Sequence, residues 1–351
     1  MKGARRLART VAWILASVGW LAATAWCASA CWYAPFGPSA WSGLAAAAVV
    51  AGSLLAVRLT RRWPPRMAAL VALWGAVGAA FWWWPAPADW DWQPDCRCAP
   101  EVSRAGGLVT VHGVRDFRWR SDTDFDARWE DRTYDPARLR RCDLFMSYWG
   151  PTEICHLILS FGFERPDGSM DYVAVSIEAR RRVGQSYDAL ASAFRQFGLL
   201  YVWADERDVL RVRTDVRGEH VHRYRLEMPP DRMRDLFDRY VAATQRLHAQ
   251  PAWYNAITEN CSIGIMRTAW GNAVPLFVPV QALLNGSLDR HAWDMGALDR
   301  SVPFEVLRAR SDVTAAGRAA SAADFSQAIR TDDVVARLLH PERIRPLGQD
   351  Q

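Results

Sequence analysis

Three apolar runs lie within the first 88 residues, and they constrain this chain more than any other feature. The first spans about Val11 to Tyr33, the second about Gly43 to Leu59 and the third about Met67 to Trp84. Each comes near the roughly 17–25 residues a helix needs to cross the hydrocarbon core of a bilayer. The first is too long and too aromatic for a cleaved signal peptide, although its start resembles one. Lys2, Arg5, Arg6 and Arg9 precede the first run, and Arg58, Arg61, Arg62 and Arg66 lie between the second and third. The stretch from Ala34 to Ser42 carries no positive residue. Positive charge stays on the cytoplasmic side, so the amino terminus is expected inside and everything after the third span outside. Trp82, Trp83, Trp84, Trp90 and Trp92 read as an aromatic belt at the exit interface.

The expected organisation is a three-helix membrane anchor over 1–88, a linker over 89–100, an outer domain over 101–335 and a polar tail over 336–351. A net charge of +5 without a basic stripe argues against nucleic acid. Seven cysteines with no repeated CxxC spacing signal neither a zinc site nor a disulfide framework. Cys96 and Cys98 are too close in sequence to pair well with each other. No metal and no cofactor is expected.

The outer domain reads as α+β. Leu108 to Val114 alternates like a strand, and His112 within it is read as structural. Arg115 to Phe125 is polar with regularly placed aromatics, a second strand or an extended binding loop. Asp143 to Gly150 reads as a buried strand ending in a turn. Cys155 to Phe163 and Tyr172 to Glu178 read as a hairpin about Pro166-Asp167-Gly168. Ser186 to Phe197 and Asp231 to His248 show helical periodicity. Leu199 to Trp203 and Val221 to Leu226 are short strands. Asp205-Glu206-Arg207-Asp208 is a charged turn, read as ion-paired rather than metal-binding because no histidine is in register.

The chemistry concentrates at Thr258-Glu259-Asn260-Cys261-Ser262-Ile263. Asn260 is a good N-cap, Gly271 a plausible stop, and Cys261 falls on the first helical turn. A thiol there sits at the positive end of the helix dipole, which favours the nucleophilic thiolate. His156 starts a strand. In the expected hairpin it lies across from Glu178, whose carboxylate would orient the imidazole and stabilise its charged form. Glu178 has a second reading, a surface salt bridge with Arg180 or Arg181, and Ser176 is the alternative orienter. Cys155 is expected on the opposite side of its strand from His156.

Histidine, orienter, then cysteine is the order of circularly permuted papain-like enzymes, which include the lecithin:retinol acyltransferase type. More specifically, the chain resembles bacterial membrane proteins carrying the periplasmic N-terminal domain of Lnb, a lipoprotein N-acyltransferase. The resemblance covers about residues 100 to 335 and rests on six stretches. These are VHGVRDFRWRSDTDF from Val111, DLFMSYWG from Asp143, HLILSFGF from His156, VSIEARR from Val175, YVWADERDVLRVRT from Tyr201 and WYNAITENCSI from Trp253. Threonines commonly follow the cysteine in such sequences, whereas Ser262 and Ile263 follow here.

The resemblance implies a papain-like domain with an antiparallel sheet, held in the periplasm by an inner-membrane anchor. It places the nucleophile on Cys261 and the base on His156. With Glu178 or Ser176 as orienter and Asn260 with helix amides at the oxyanion, the expected reaction is acyl transfer. The acyl chain would pass from a phospholipid to an amine such as a lipoprotein amino terminus. A cysteine hydrolase of cell-wall or protein amides, or a non-catalytic envelope assembly factor, are the alternatives.

Overall fold

The computed structural model describes residues 2–33, 37–59, 62–270 and 284–330. The expected helix stop at Gly271, the tail 336–351 and Arg61 lie outside them. The chain divides into two compact units. One comprises Met1–Trp90, Gln185–Gly198 and Pro251–Ala256, the other Asp91–Gly184, Leu199–Gln250 and Ile257–Gln351.

The first unit is built on α1 (Lys2–Tyr33), α2 (Ala40–Leu59) and α3 (Trp63–Trp83). Each holds a stretch long and apolar enough to cross a membrane. Small residues let the helices approach: a Cβ on Gly43 would stand 3.3 Å from the Trp32 ring, and one on Gly52 3.3 Å from Leu73. Trp74 Nε1 donates to Ser53 Oγ at 3.3 Å, joining α3 to α2.

The two later segments of this unit satisfy carbonyls that the helix ends leave open. Arg195 Nη1 donates to Trp84 O at 2.6 Å, Gln196 Nε2 to Tyr33 O at 2.6 Å, and Trp253 Nε1 to Trp84 O at 3.1 Å. Phe194 stacks on Tyr33 with ring centroids 5.4 Å apart. These contacts correct the long helix expected over 186–197. Only α4 (Ala189–Ser192) forms, capped by Asp188, because Arg195 turns into the left-handed region at φ 56°. Its apolar residues are spent on the membrane helices rather than on a helical face of their own.

The second unit is a sheet with packing on both faces. Its strands are β1 (Glu101–Ala105), β2 (Leu108–Arg115), β5 (Trp129–Tyr134), β6 (Leu139–Tyr148), β7 (His156–Glu164), β8 (Met170–Arg180), β9 (Gly198–Ala204) and β10 (His220–Arg225). A separate short hairpin pairs β3 (Arg118–Trp119) with β4 (Phe125–Asp126), in the stretch left open as strand or loop. The order is β1-β2-β9-β8-β7-β6-β10, with β5 pairing β2. The sheet is mixed rather than wholly antiparallel, because β2 meets β9 in parallel at Arg115 and Ala204. His112 is tied across strands to Ser103 at 3.0 Å and Asp131 at 2.7 Å, a surface structural role.

β7 and β8 are apolar on both sides, as strands covered on both faces must be. One face packs on α6 (Pro230–Ala249), where Phe161 meets Phe237 edge-on at 5.3 Å. The other face carries Phe145, Ile158 and Ala174 against Val209 and Leu210 of α5 (Glu206–Arg211). The charged turn Asp205 to Asp208 starts α5, with Asp205 as its cap, and its carboxylates are ion-paired. Glu206 accepts from Arg330 at 2.5 Å and from Ser160 at 2.5 Å. Among the described residues no cluster of metal-ligating side chains occurs.

Asp208 is fully buried and gathers the VHGVRDFRWR stretch around it. It accepts from Arg115 Nε at 2.9 Å, Phe117 N at 2.8 Å and Trp119 Nε1 at 2.7 Å. Removing one member of such a buried pair leaves the other charge without compensation. Asp208→Ala should therefore lower unfolding stability by about 3 kcal/mol or more. Asp124→Ala, which breaks an exposed pair with Arg120, should leave unfolding stability nearly unchanged. Urea titration of the detergent-solubilised protein, followed by near-UV tryptophan dichroism, checks the contrast.

Candidate active site

The site is assembled by one hairpin and one helix. β7 and β8 pair antiparallel with Ile158 facing Ser176. Continuing that register by one pleat sets His156 across from Glu178, both beyond the last paired residues. α7 (Cys261–Trp270) begins on the cysteine itself. Asn260 caps it: its Oδ1 accepts from Ile263 N at 2.8 Å, and its carbonyl accepts from Gly264 N at 2.8 Å. That side-chain oxygen therefore serves the helix end, so Asn260 supports Cys261 through the cap. The helix lies close to β8 because residue 264 is glycine. A Cβ there would come within 2.5 Å of Ile177 Cδ1.

His156 Nε2 lies 2.7 Å from Ser176 Oγ and 3.1 Å from Glu178 Oε1. Ser176 in turn donates to Glu178 Oε1 at 2.7 Å. The hydroxyl proton is used there, so Ser176 accepts from the imidazole N–H. Ser176 and Glu178 thus form one hydrogen-bonded chain beside the imidazole. Nε2 is committed to this pair, which leaves Nδ1 for the hydrogen bond between His156 and the Cys261 thiol. Burial pushes His156 down, but the Glu178 carboxylate and Cys261 outweigh it and raise the imidazole to about 9. Burial pushes the Cys261 thiol up, yet the His156 charge and hydrogen bond, with smaller help from Leu157 N–H and Ser262, bring it below its ordinary value. The result favours a thiolate–imidazolium pair. Cys261 is only 7% exposed, so water screens this pair weakly.

Glu178 is not spent on its sequence neighbours. Arg181 pairs with Asp95 at 2.6 Å, and Arg180 donates to the Cys96 carbonyl at 2.9 Å. Arg213 takes the back of Glu178 at 3.2 Å and also binds Glu219 at 3.1 Å. Ser147, the cross-strand partner of His156, donates to Glu219 at 2.5 Å. Arg213 is buried and holds Glu178 in its ionised form, together with His156 and Ser176. Its position within the YVWADERDVLRVRT stretch was the only sequence signal for it.

Asn285 had no such signal. It is buried and ties three backbone segments together. Its Nδ2 donates to Ser262 Oγ at 2.6 Å and to Cys155 O at 2.8 Å, and stands 3.9 Å from Cys261 Sγ. Its Oδ1 accepts from Cys155 N at 2.8 Å. Cys155 clusters with Leu157 and Leu159, on the opposite face from Ile158 and His156, as strand alternation predicts. It belongs to the same apolar cluster as Cys261, and its thiol is raised by burial and by the Cys261 charge. All seven cysteines are free.

Three helices long and apolar enough to cross a membrane, followed by an α+β domain, fit a membrane protein. Residues 125–285 match the family model of the Lnb N-terminal periplasmic domain. The match contains His156, Ser176, Glu178, Asn260 and Cys261 and ends on Asn285. It is shorter than the expected 100 to 335 and leaves Val111 to Asp124 outside. No match is found among curated proteins or solved structures.

Glu178→Gln removes the carboxylate that raises His156, so the imidazole should fall toward its ordinary value near 6.5. The thiolate then loses its partner at neutral pH. Alkylation of Cys261 by iodoacetamide at pH 7.5 should slow by about tenfold, corresponding to roughly one pH unit in the thiol. The linkage has a defined sign. A histidine raised in the folded state stabilises fully below 6.5, and this contribution is lost as pH rises through about 9. The wild-type protein should lose that increment across this window, and Glu178→Gln should not.

Proposed function

We propose that this protein is a membrane-anchored thiol acyltransferase whose outer domain is a circularly permuted papain-like fold in the periplasm. The observation that carries the reading is the Cys261–His156 hydrogen bond backed by Ser176 and Glu178. That arrangement makes a nucleophile, its base and an orienter. The charge pattern of the anchor supports an inner-membrane protein with a cytoplasmic amino terminus. The anchor keeps the domain at a lipid surface, which supports a phospholipid as acyl donor.

In the first half-reaction the Cys261 thiolate attacks an ester carbonyl carbon, forming a C–S bond and an oxyanion. Backbone N–H groups at the start of α7 point toward negative charge at this helix end and stabilise that oxygen. Collapse breaks the ester C–O bond, and the lysophospholipid alkoxide takes the proton from the His156 imidazolium. In the second half-reaction an amine, such as a lipoprotein amino terminus, attacks the thioester. Neutral His156 accepts the amine proton, a C–N bond forms, the C–S bond breaks and the thiolate returns. Glu178 holds the imidazole in one tautomer and stabilises its charged form throughout. Asn285 positions Ser262 and the Cys155 carbonyl, and with them the two strands of chain that carry thiol and base.

Incubation of the full-length protein with excess phospholipid and no amine acceptor should trap the intermediate. Intact-mass spectrometry is expected to show one acyl adduct on Cys261, removed by hydroxylamine and absent in Cys261→Ser. His156→Ala should form it at least about a hundredfold more slowly, the usual loss for a general base. A wild-type protein that forms no adduct would overturn acyl transfer and favour the hydrolase or the assembly factor.

A further inference from the structure

A cavity of about 410 Å³ opens at the ends of β6 and β10, and the acyl chemistry above does not use it. Tyr148, Thr152, Arg217, His220, His222 and Arg308 line it, and no acidic side chain does. Two guanidinium groups and two imidazoles facing one space form an anion site by composition. Arg217 is steadied by Asp122, 2.7 Å from its Nε, and Arg308 Nε stands 3.6 Å from buried Asp289. Each contact uses Nε and leaves the terminal nitrogens for another acceptor. His222 Nδ1 donates to Ser311 Oγ at 2.8 Å, because that hydroxyl gives its own proton to the Arg308 carbonyl at 2.8 Å.

The cavity adjoins the nucleophile through a single dipeptide. Asn285 bonds the Cys261 helix start, while the next residue, Gly286, accepts from Tyr148 Oη at 2.8 Å. Gly286 also packs directly on the cavity rim: a Cβ there would lie 1.8 Å from Thr152 O. Covalent geometry makes that spacing useful. In a glycerophospholipid, five bonds join the sn-2 ester carbonyl carbon to phosphorus, about 7.5 Å of bond length at roughly 1.5 Å per bond and a reach of about 6 Å once bond angles shorten it. A donor whose carbonyl meets Cys261 must therefore place its phosphate within one or two side chains of the thiol.

We infer that this cavity is the phosphate subsite of the acyl donor, with Arg217, His220 and Arg308 as its contacts. The inference rests on the acyl-transfer reading for the identity of the ligand, and its test does not depend on turnover. The experiment uses full-length Cys261→Ala protein and calorimetric titration with dihexanoylphosphatidylethanolamine, dihexanoylglycerol and inorganic phosphate. The phospholipid should bind at least about tenfold more tightly than the phosphate-free diacylglycerol, as charge-assisted hydrogen bonds to a phosphate would give. Arg217→Gln with His220→Gln, both partly exposed and outside the catalytic set, should close that gap. Equal binding of the two lipids, or a gap that survives the substitutions, would overturn the subsite. Inorganic phosphate binding as tightly as the phospholipid would reassign the cavity to free phosphate and overturn the lipid assignment. Loss of the acyl adduct with this gap intact would sink the transferase reading and spare the subsite.

Discussion

The antiparallel register of β7 with β8 is the constraint on which the site depends. Because Ile158 faces Ser176, His156 is carried next to Glu178 and both meet the start of α7. A slip of one residue would turn every side chain of the strand to the other face. The register is held by what each face must bury. Leu157, Leu159 and Phe161 point to the α6 side, and Ile158 and Ser160 to the α5 side. The Pro166-Asp167-Gly168 turn closes the hairpin, with Gly168 at φ 81° where a side chain would be strained. The geometry of the candidate site is thus a by-product of packing that extends well beyond it.

Around this hairpin the domain buries an unusual number of charges. Asp143 is fully buried and held ionised by Arg330, Arg141 and Arg223, and fully buried Asp208 is paired with Arg115. Desolvating such groups costs several kcal/mol each, so they are poor sources of net stability. Their geometric consequence is clearer. Each forces segments distant in sequence into one arrangement, because any other leaves a bare charge in a low dielectric. Arg213 does this at the site. It links Glu178 to Glu219, and through Ser147 it reaches the strand beside His156. The orienting carboxylate is therefore anchored from behind as well as from the imidazole side.

Much of this was legible from local pattern. The β7–β8 hairpin, α6, β10 and the start of α7 at Cys261 fell within a few residues of where periodicity and capping put them. These elements share a property: their apolar spacing and turn residues agree with their final surroundings. The failures have the opposite character. The helix expected over 186–197 shrinks to Ala189–Ser192, because Phe194, Arg195 and Gln196 answer to the ends of α1 and α3. The sheet is mixed because β2 and β9 meet in parallel, a pairing between strands far apart in sequence.

By itself the sequence determined the three membrane-length helices, the α+β character of the domain and the identities of Cys261, His156, Ser176 and Glu178 as residues worth testing. These follow from chemistry that is local: run length, period, a cap before a cysteine, a carboxylate opposite a histidine. Tertiary structure alone decided that Ser176 and Glu178 are hydrogen-bonded to each other beside His156, that Arg213 stands behind them and that Asn285 fastens the thiol's helix to the chain before the histidine's strand. It also decided that Arg217, His220, His222 and Arg308 share one cavity. Hydrogen bonds and charge pairs between such distant segments depend on a few tenths of an ångström, and hydrophobic period carries no record of that distance.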